Sequence, residues 1–126
     1  MNPVRRQIQS MLRTEPRDGG FRAVLKFDGN LSILPDHFPN LPILPGICML
    51  QAVLIAAAQA CGVAELRIRH LKNSKLLQPV RPGDELLIDG DISAAADGDI
   101  LLKAKLWSAD QKRAEFNLVA RDGARS

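Results

Sequence analysis

The chain changes its hydrophobic rhythm at Gly62. Before that glycine, Ile47 to Ala60 (ICMLQAVLIAAAQA) contains no charged residue and no helix breaker. Leucine, methionine and alanine favour helix. A segment that is apolar all round predicts a helix buried on every side, and Gly62 supplies the C-terminal stop. After Gly62 the period becomes two, as in strands. Leu66, Ile68 and His70 fall on one side, with Arg67 and Arg69 on the other. Leu86, Ile88 and Ile92 are in phase within Glu85 to Ala94, after a turn at Gln78 to Asp84. Asp97-Gly98 is a hairpin signal. Ile100, Leu102, Ala104 and Leu106 then alternate with Leu101, Lys103, Lys105 and Trp107. A turn near Ala109-Asp110 leads to Ala114, Phe116, Leu118 and Ala120, which alternate with Arg113, Glu115, Asn117, Val119 and Arg121.

Upstream, Val4, Ile8, Met11 and Leu12 predict a short helix over residues 3–13, with Pro3 suited to its first turn. Glu15 to Gly20 reads as a charged loop. Phe21 to Asp28 reads as a strand with Phe21, Ala23, Leu25 and Phe27 on one face, broken by Asp28-Gly29-Asn30. Leu31 to Gly46 carries Pro35, Pro39, Pro42 and Pro45 and reads as irregular, because proline fixes φ and removes a donor. It is apolar between its prolines, which predicts a packed segment at a site or interface.

One buried helix and a run of antiparallel strands predict an α+β fold, a sheet wrapped around a central helix. No repeat or linker divides the chain. The expectation is one domain over 1–126, with an N-terminal helix and loop at 1–19, the core at 20–121 and a tail at 122–126.

Composition narrows the function classes. Hydrophobic residues are 46% and charged residues 25%, ordinary globular values that exclude wholesale disorder and fibres. Cys48 and Cys61 are too few for a disulfide scaffold and read as reduced, buried thiols. A net charge of +3 is mild, and aromatics at 4% are too sparse for base stacking, so nucleic acid is not an expected partner. The N-terminus has no secretory apolar region, and the Ile43–Ala60 run is broken by Pro45-Gly46. No membrane association, a cytoplasmic location, and no metal or cofactor are expected.

His70, mid-strand, reads as structural. His37 lies nine residues before Gly46, which opens the apolar helix. An imidazole can serve as general base near neutral pH, and a helix N-terminus offers unpaired N–H groups to a carbonyl oxygen.

The segment Asp36-His37-Phe38-Pro39-Asn40-Leu41-Pro42-Ile43-Leu44-Pro45-Gly46-Ile47 resembles the signature loop of the hotdog-fold 3-hydroxyacyl-acyl carrier protein dehydratases. Leu76-Leu77-Gln78-Pro79-Val80-Arg81-Pro82-Gly83-Asp84-Glu85-Leu86 resembles that family's second characteristic stretch. The resemblance runs from about residue 20 to 121. It implies a hotdog fold and a dimer whose sites are built from two chains. It also implies His37 as the base that removes the C2 proton and the Gly46 N–H as donor to the thioester carbonyl. Phe38, Pro45, Ile47, Lys75 and Arg81 would line the substrate path, and a strained turn would sit at His37-Phe38. The implied substrate is a 3-hydroxyacyl thioester on acyl carrier protein or coenzyme A. The family places a carboxylic acid on the helix fourteen residues after the histidine; here that residue is Gln51. An amide cannot donate a proton at useful pH. Dehydration of such thioesters is the leading expectation. Thioester hydrolysis and a non-catalytic thioester-binding or partner subunit stand beside it.

Overall fold

The computed structural model describes residues 3–27 and 43–124. A helix α1 (Pro3–Met11) leads into β1 (Leu12–Arg17) and β2 (Gly20–Lys26). The helix α2 spans Gly46–Cys61. Four strands follow: β3 (Leu66–Leu76), β4 (Glu85–Ala94), β5 (Ile100–Ser108) and β6 (Gln111–Asp122). All six strands form one antiparallel sheet in the order β1-β2-β4-β5-β6-β3. One face of the sheet packs on α2, as the apolar pattern requires and as the hotdog resemblance implies. Phe21, Leu25, Leu86, Ile88, Leu102, Leu106, Phe116 and Leu118 point to that face and are buried with Val53, Ala56 and Ala57 of the helix.

The two short hairpins follow their turn residues. Asp97 and Gly98 take positive φ between β4 and β5, and Ala109 and Asp110 do so between β5 and β6. Helix α2 ends on Gly62 in the left-handed conformation, whose N–H reaches the Ala58 and Gln59 carbonyls.

Several expectations are corrected. The predicted helix over 3–13 stops at Met11, and much of the predicted loop at Glu15 to Gly20 belongs to strand β1. Pro16 is tolerated there because β1 is a terminal strand, where a missing donor breaks no ladder on the open side. In β3 the alternation fails: His70, Ile68 and Leu71 are all exposed, and the register with β6 shifts between Ile68 and His70 and again between Leu71 and Asn73. Arg113, expected on the outer face, is buried next to Ala114, because the β5–β6 register shifts at Leu106/Trp107. Cys48 is buried, but Cys61 is exposed at the end of α2. Helix α2 is not covered on every side: Ile47 is 59% exposed, and Gln51 and Leu54 on the same stripe are only half-buried.

Two further features organise the sheet and its connections. First, one row of side chains crosses the whole sheet with alternating sign. Glu15 faces Arg22, which faces Asp89; Asp89 faces Lys105, Lys105 faces Glu115, and Glu115 faces Lys75. The Glu115 carboxyl is held below the usual range by a hydrogen bond from Lys112 and by the charges of Lys112, Lys75 and Lys105. Second, the turn Val80–Asp84 holds two distant points of the chain. Phe27 bonds it twice, its N–H to the Asp84 carbonyl (3.2 Å) and its carbonyl to the Gly83 N–H (2.8 Å). Leu44 bonds it once, its N–H to the Val80 carbonyl at 2.8 Å.

Arg17 at the β1 end reaches across β2 to Asp89 and Asp91 of β4, which raises its pKa through hydrogen bonds first to Asp91 and then to Asp89. The crossing passes Gly20, where an added Cβ would collide with the Gly90 carbonyl oxygen. The atoms it would meet there, of Gly90 and Asp91, are all backbone, so little can yield. Gly20→Ala is expected to lower the thermal midpoint by several degrees, as a steric clash in a paired strand does; an unchanged melting curve would refute the close packing of β2 on β4.

Candidate functional site

The N-terminus of α2 is built from both stretches that carry the family resemblance. Pro45 precedes the helix with φ −62° and ψ 147°, an extended geometry that proline favours. It offers no side-chain cap. Its carbonyl accepts from the N–H groups of Cys48 (2.9 Å) and Met49 (3.2 Å). The N–H groups of Gly46 and Ile47 have no backbone acceptor among the described residues. The first turn carries no acidic side chain of its own to offset the positive end of the helix dipole.

A cavity of about 420 Å³ lies against this helix end, lined by Ile43 to Gly46 and Met49 on one side and by Leu76 to Pro79 on the other. Leu76 packs so closely on Gly46 that a Cβ at residue 46 would stand 2.6 Å from its Cδ1. Glycine therefore lets the leucine methyl close on the helix start, and Gly46 itself lines the cavity. The lining is mainly apolar, with the helix start at Gly46 at one end.

The wall at Leu77–Pro79 is held by Arg113. Its carbonyl accepts from the Leu77 N–H (2.8 Å) and the Gln78 N–H (3.2 Å). Its buried guanidinium donates to the Pro79 carbonyl at 2.6 Å and, more weakly, to the Ser108 carbonyl at 3.4 Å. Sequence reading gave no hint of this role, because strand phase placed Arg113 on the outer face.

The predicted site residues fall into three groups. Pro45 and Gly46 line the cavity. Ile47 stands exposed beside it, and Gln51 lies one turn further along the same stripe, half-buried and outside the cavity lining. Lys75 and Arg81 are exposed next to the Leu76–Pro79 wall; the Arg81 N–H bonds the Asp84 carboxylate at 2.8 Å. His37 and Phe38, with the turn between them, lie outside the described residues. Leu76, Leu77, Gln78 and Pro79 are members of the second resembling stretch whose wall-forming role needed the fold. Cys48, near the helix start, is buried, and burial pushes its thiol pKa up, which does not favour a nucleophile. Among the described residues no helix is long and apolar enough to cross a membrane.

A six-stranded antiparallel sheet with a helix along one face, opening at a Pro-Gly helix start, is the hotdog architecture. The chain belongs to the ApeI-like family of ApeI dehydratases, whose model matches residues 13–115. It is 38% identical over 93 residues to the 3-hydroxyacyl-[acyl-carrier-protein] dehydratase FabZ of Protochlamydia amoebophila, covering 67% of this chain and 58% of that protein. It is 33% identical over 91 residues to the FabZ of Chlamydia pneumoniae, covering 66% and 56%. The chain thus spans somewhat less than three-fifths of these two relatives. Among solved structures, the dehydratase heterocomplex ApeI:P from Xenorhabdus doucetiae contains a chain with a TM-score of 0.67 at 25% identity, covering 86% of this chain and 95% of that one. The E. coli PaaI protein of the phenylacetic acid degradation operon shares the fold alone, with a TM-score of 0.68 at 11% identity over 90% of this chain and 85% of its own.

Proposed function

We propose that this chain is a dehydratase-type subunit that binds 3-hydroxyacyl thioesters, carried on acyl carrier protein or coenzyme A, in the cytoplasm. The observation that carries this reading is the uncapped start of α2 at Gly46, open to an apolar cavity of about 420 Å³. The thioester carbonyl would accept from the Gly46 N–H, which stabilises the enolate formed when the C2 proton leaves. His37 is the base that takes this proton, and Phe38, Pro45 and Ile47 line the approach of the acyl chain. Lys75 and Arg81 flank the entrance and suit an acidic carrier or the phosphate of a pantetheine arm.

The site is proposed to need two copies of the chain. Strand β3 is terminal in the sheet and exposes Ile68 and Leu71, and the Ile47–Gln51–Leu54 stripe of α2 is incompletely covered. Joining two β3 edges would pair open backbone groups and cover that stripe. His37 of one copy would then meet Gln51 of the other. The double variant Ile47→Lys, Leu71→Lys is expected to halve the particle mass measured by light scattering. A wild-type chain that stays at 13.8 kDa at micromolar concentration would sink the two-copy site.

A second reading is favoured by Gln51. With no carboxylic acid there, loss of the 3-hydroxyl lacks its proton donor. A partner hotdog chain with an acid at this position would complete one site, as fits a relative found in a dehydratase heterocomplex. The deciding experiment offers 3-hydroxyacyl and acyl thioesters to the chain in parallel and scores water loss against thiol release. Slow water loss without thiol release supports the dehydratase reading. Thiol release alone replaces it with a thioesterase, and silence in both arms with thioester binding retained leaves the partner-subunit role.

A further inference from the structure

We infer that the outer face of the β4–β5 ribbon is a docking surface for a second copy of this chain, packed sheet to sheet, and independent of the β3 edge. Three observations carry this. The first is an apolar stripe in strict register: Val24 faces Leu87, and Leu87 faces Trp107. Leu87 is 48% and Trp107 37% exposed, an unusual pairing of large apolar side chains on a solvent-facing sheet.

The second is a concavity of about 640 Å³ on this face, lined by these three residues and flanked by charged side chains such as Arg22 and Asp89. An outer sheet face that is hollow at its tryptophan can receive a side chain from outside.

The third identifies the occupant. The outward residues of β4 and β5 are opposite in sign at each charged position: Asp89 faces Lys105 and Asp91 faces Lys103. A two-fold axis running along the ribbon, midway between β4 and β5, lays β4 of one copy on β5 of the other. Asp89 then meets the second copy's lysine at 105, Asp91 the one at 103, and Leu87 the indole at 107. The sign order continues one strand further out on each side, where Arg22 of β2 and Glu115 of β6 stand opposite in sign across the same axis. A surface complementary to itself under a two-fold is what an isologous interface requires. Sheets packed face to face also tolerate this alignment, with strands within about 30° of each other.

Trp107 is the sole tryptophan of the chain, so the unmodified protein reports on its own interface. As concentration rises from nanomolar to tens of micromolar, indole emission is expected to move to shorter wavelength while the mass doubles. Trp107→Lys should halve the mass at the high concentration while leaving far-ultraviolet circular dichroism unchanged. If that variant misfolds, a charge test replaces it. Lys103→Glu with Lys105→Glu, and separately Asp89→Lys with Asp91→Lys, should each fail to double alone and should assemble when mixed. Mixing restores no pair within either sheet, so rescue can come only from the interface. The inference is overturned if emission and mass are independent of concentration, if Trp107→Lys folds and keeps the wild-type mass, or if the mixed variants stay apart. The Ile47→Lys, Leu71→Lys variant should still double through this face, which separates it from the dimer proposed above.

Discussion

Replacing Gln51 with glutamate is expected to raise dehydration of 3-hydroxyacyl thioesters at least about tenfold, the cautious end of the 10²–10⁴-fold range typical of general acid catalysis. Glutamine and glutamate are nearly isosteric, so the half-buried position on α2 keeps its packing. Burial and a neighbouring apolar stripe push a carboxyl pKa upward from about 4.3, which favours the protonated, donating form. The sign gives a second readout. The gain should fade as pH rises through the new group's pKa, adding an alkaline limb that the wild-type profile lacks. Adding His37→Ala should abolish the gain, since a leaving hydroxyl can be protonated usefully only if the C2 proton is removed. A variant that folds, assembles and still dehydrates no faster would refute the assignment of residue 51 to the acid position.

Arg113→Leu is expected to cost about 2–3 kcal/mol of folding stability, the scale of hydrogen bonds from a charged donor to buried acceptors. For a chain of this size that is a drop of roughly 10 °C in thermal midpoint. The alternative, that an apolar replacement of a buried cation is neutral, applies when both partners of an ion pair are exchanged. Here the partners are the carbonyls of Pro79 and Ser108, which stay behind unsatisfied. Because Pro79 lines the cavity, binding of a 3-hydroxyacyl thioester should weaken as well. Arg113→Lys should recover part of the stability, since an ammonium can still reach one carbonyl. A melting curve for Arg113→Leu within about 2 °C of wild type would show that the wall stands without its guanidinium.

The elements that were legible in the sequence are those where one physical rule acts alone. Ile47 to Ala60 had neither charge nor breaker, so helix was the only regular choice, and its bounds moved by one residue at each end. Strands β2, β4 and β5 keep an unbroken period of two and were read with the correct inward face. Where two rules compete, the reading failed. In β1, Pro16 and three charged residues hid an edge strand in which only Leu12 is buried and Thr14 half-buried on the inward side. In β3 two register shifts reset the phase, and near Arg113 a third turned an arginine inward. Cys61 read as buried because its neighbours in sequence are apolar, yet it lies at the end of the helix. At the candidate site, Pro45 and Gly46 were legible from motif and helix start together. That Leu76 closes on Gly46, and that Arg113 braces the facing wall, depends on contacts far apart in sequence, which no local pattern encodes.

The turn at Val80–Asp84 has a consequence for the segment that carries His37. Phe27 and Leu44 stand on either side of that segment in the sequence, and both are fastened to this one turn. The turn therefore fixes Phe27 and Leu44 relative to one another once the sheet has folded. The two sequence stretches that mark the family are thus mechanically one device: the Pro-Gly turn of the second is the fastening of the first. A change at Gly83, whose φ of +92° other residues resist, would loosen the hold on Phe27 and with it one of the two anchored points that flank His37 in the sequence.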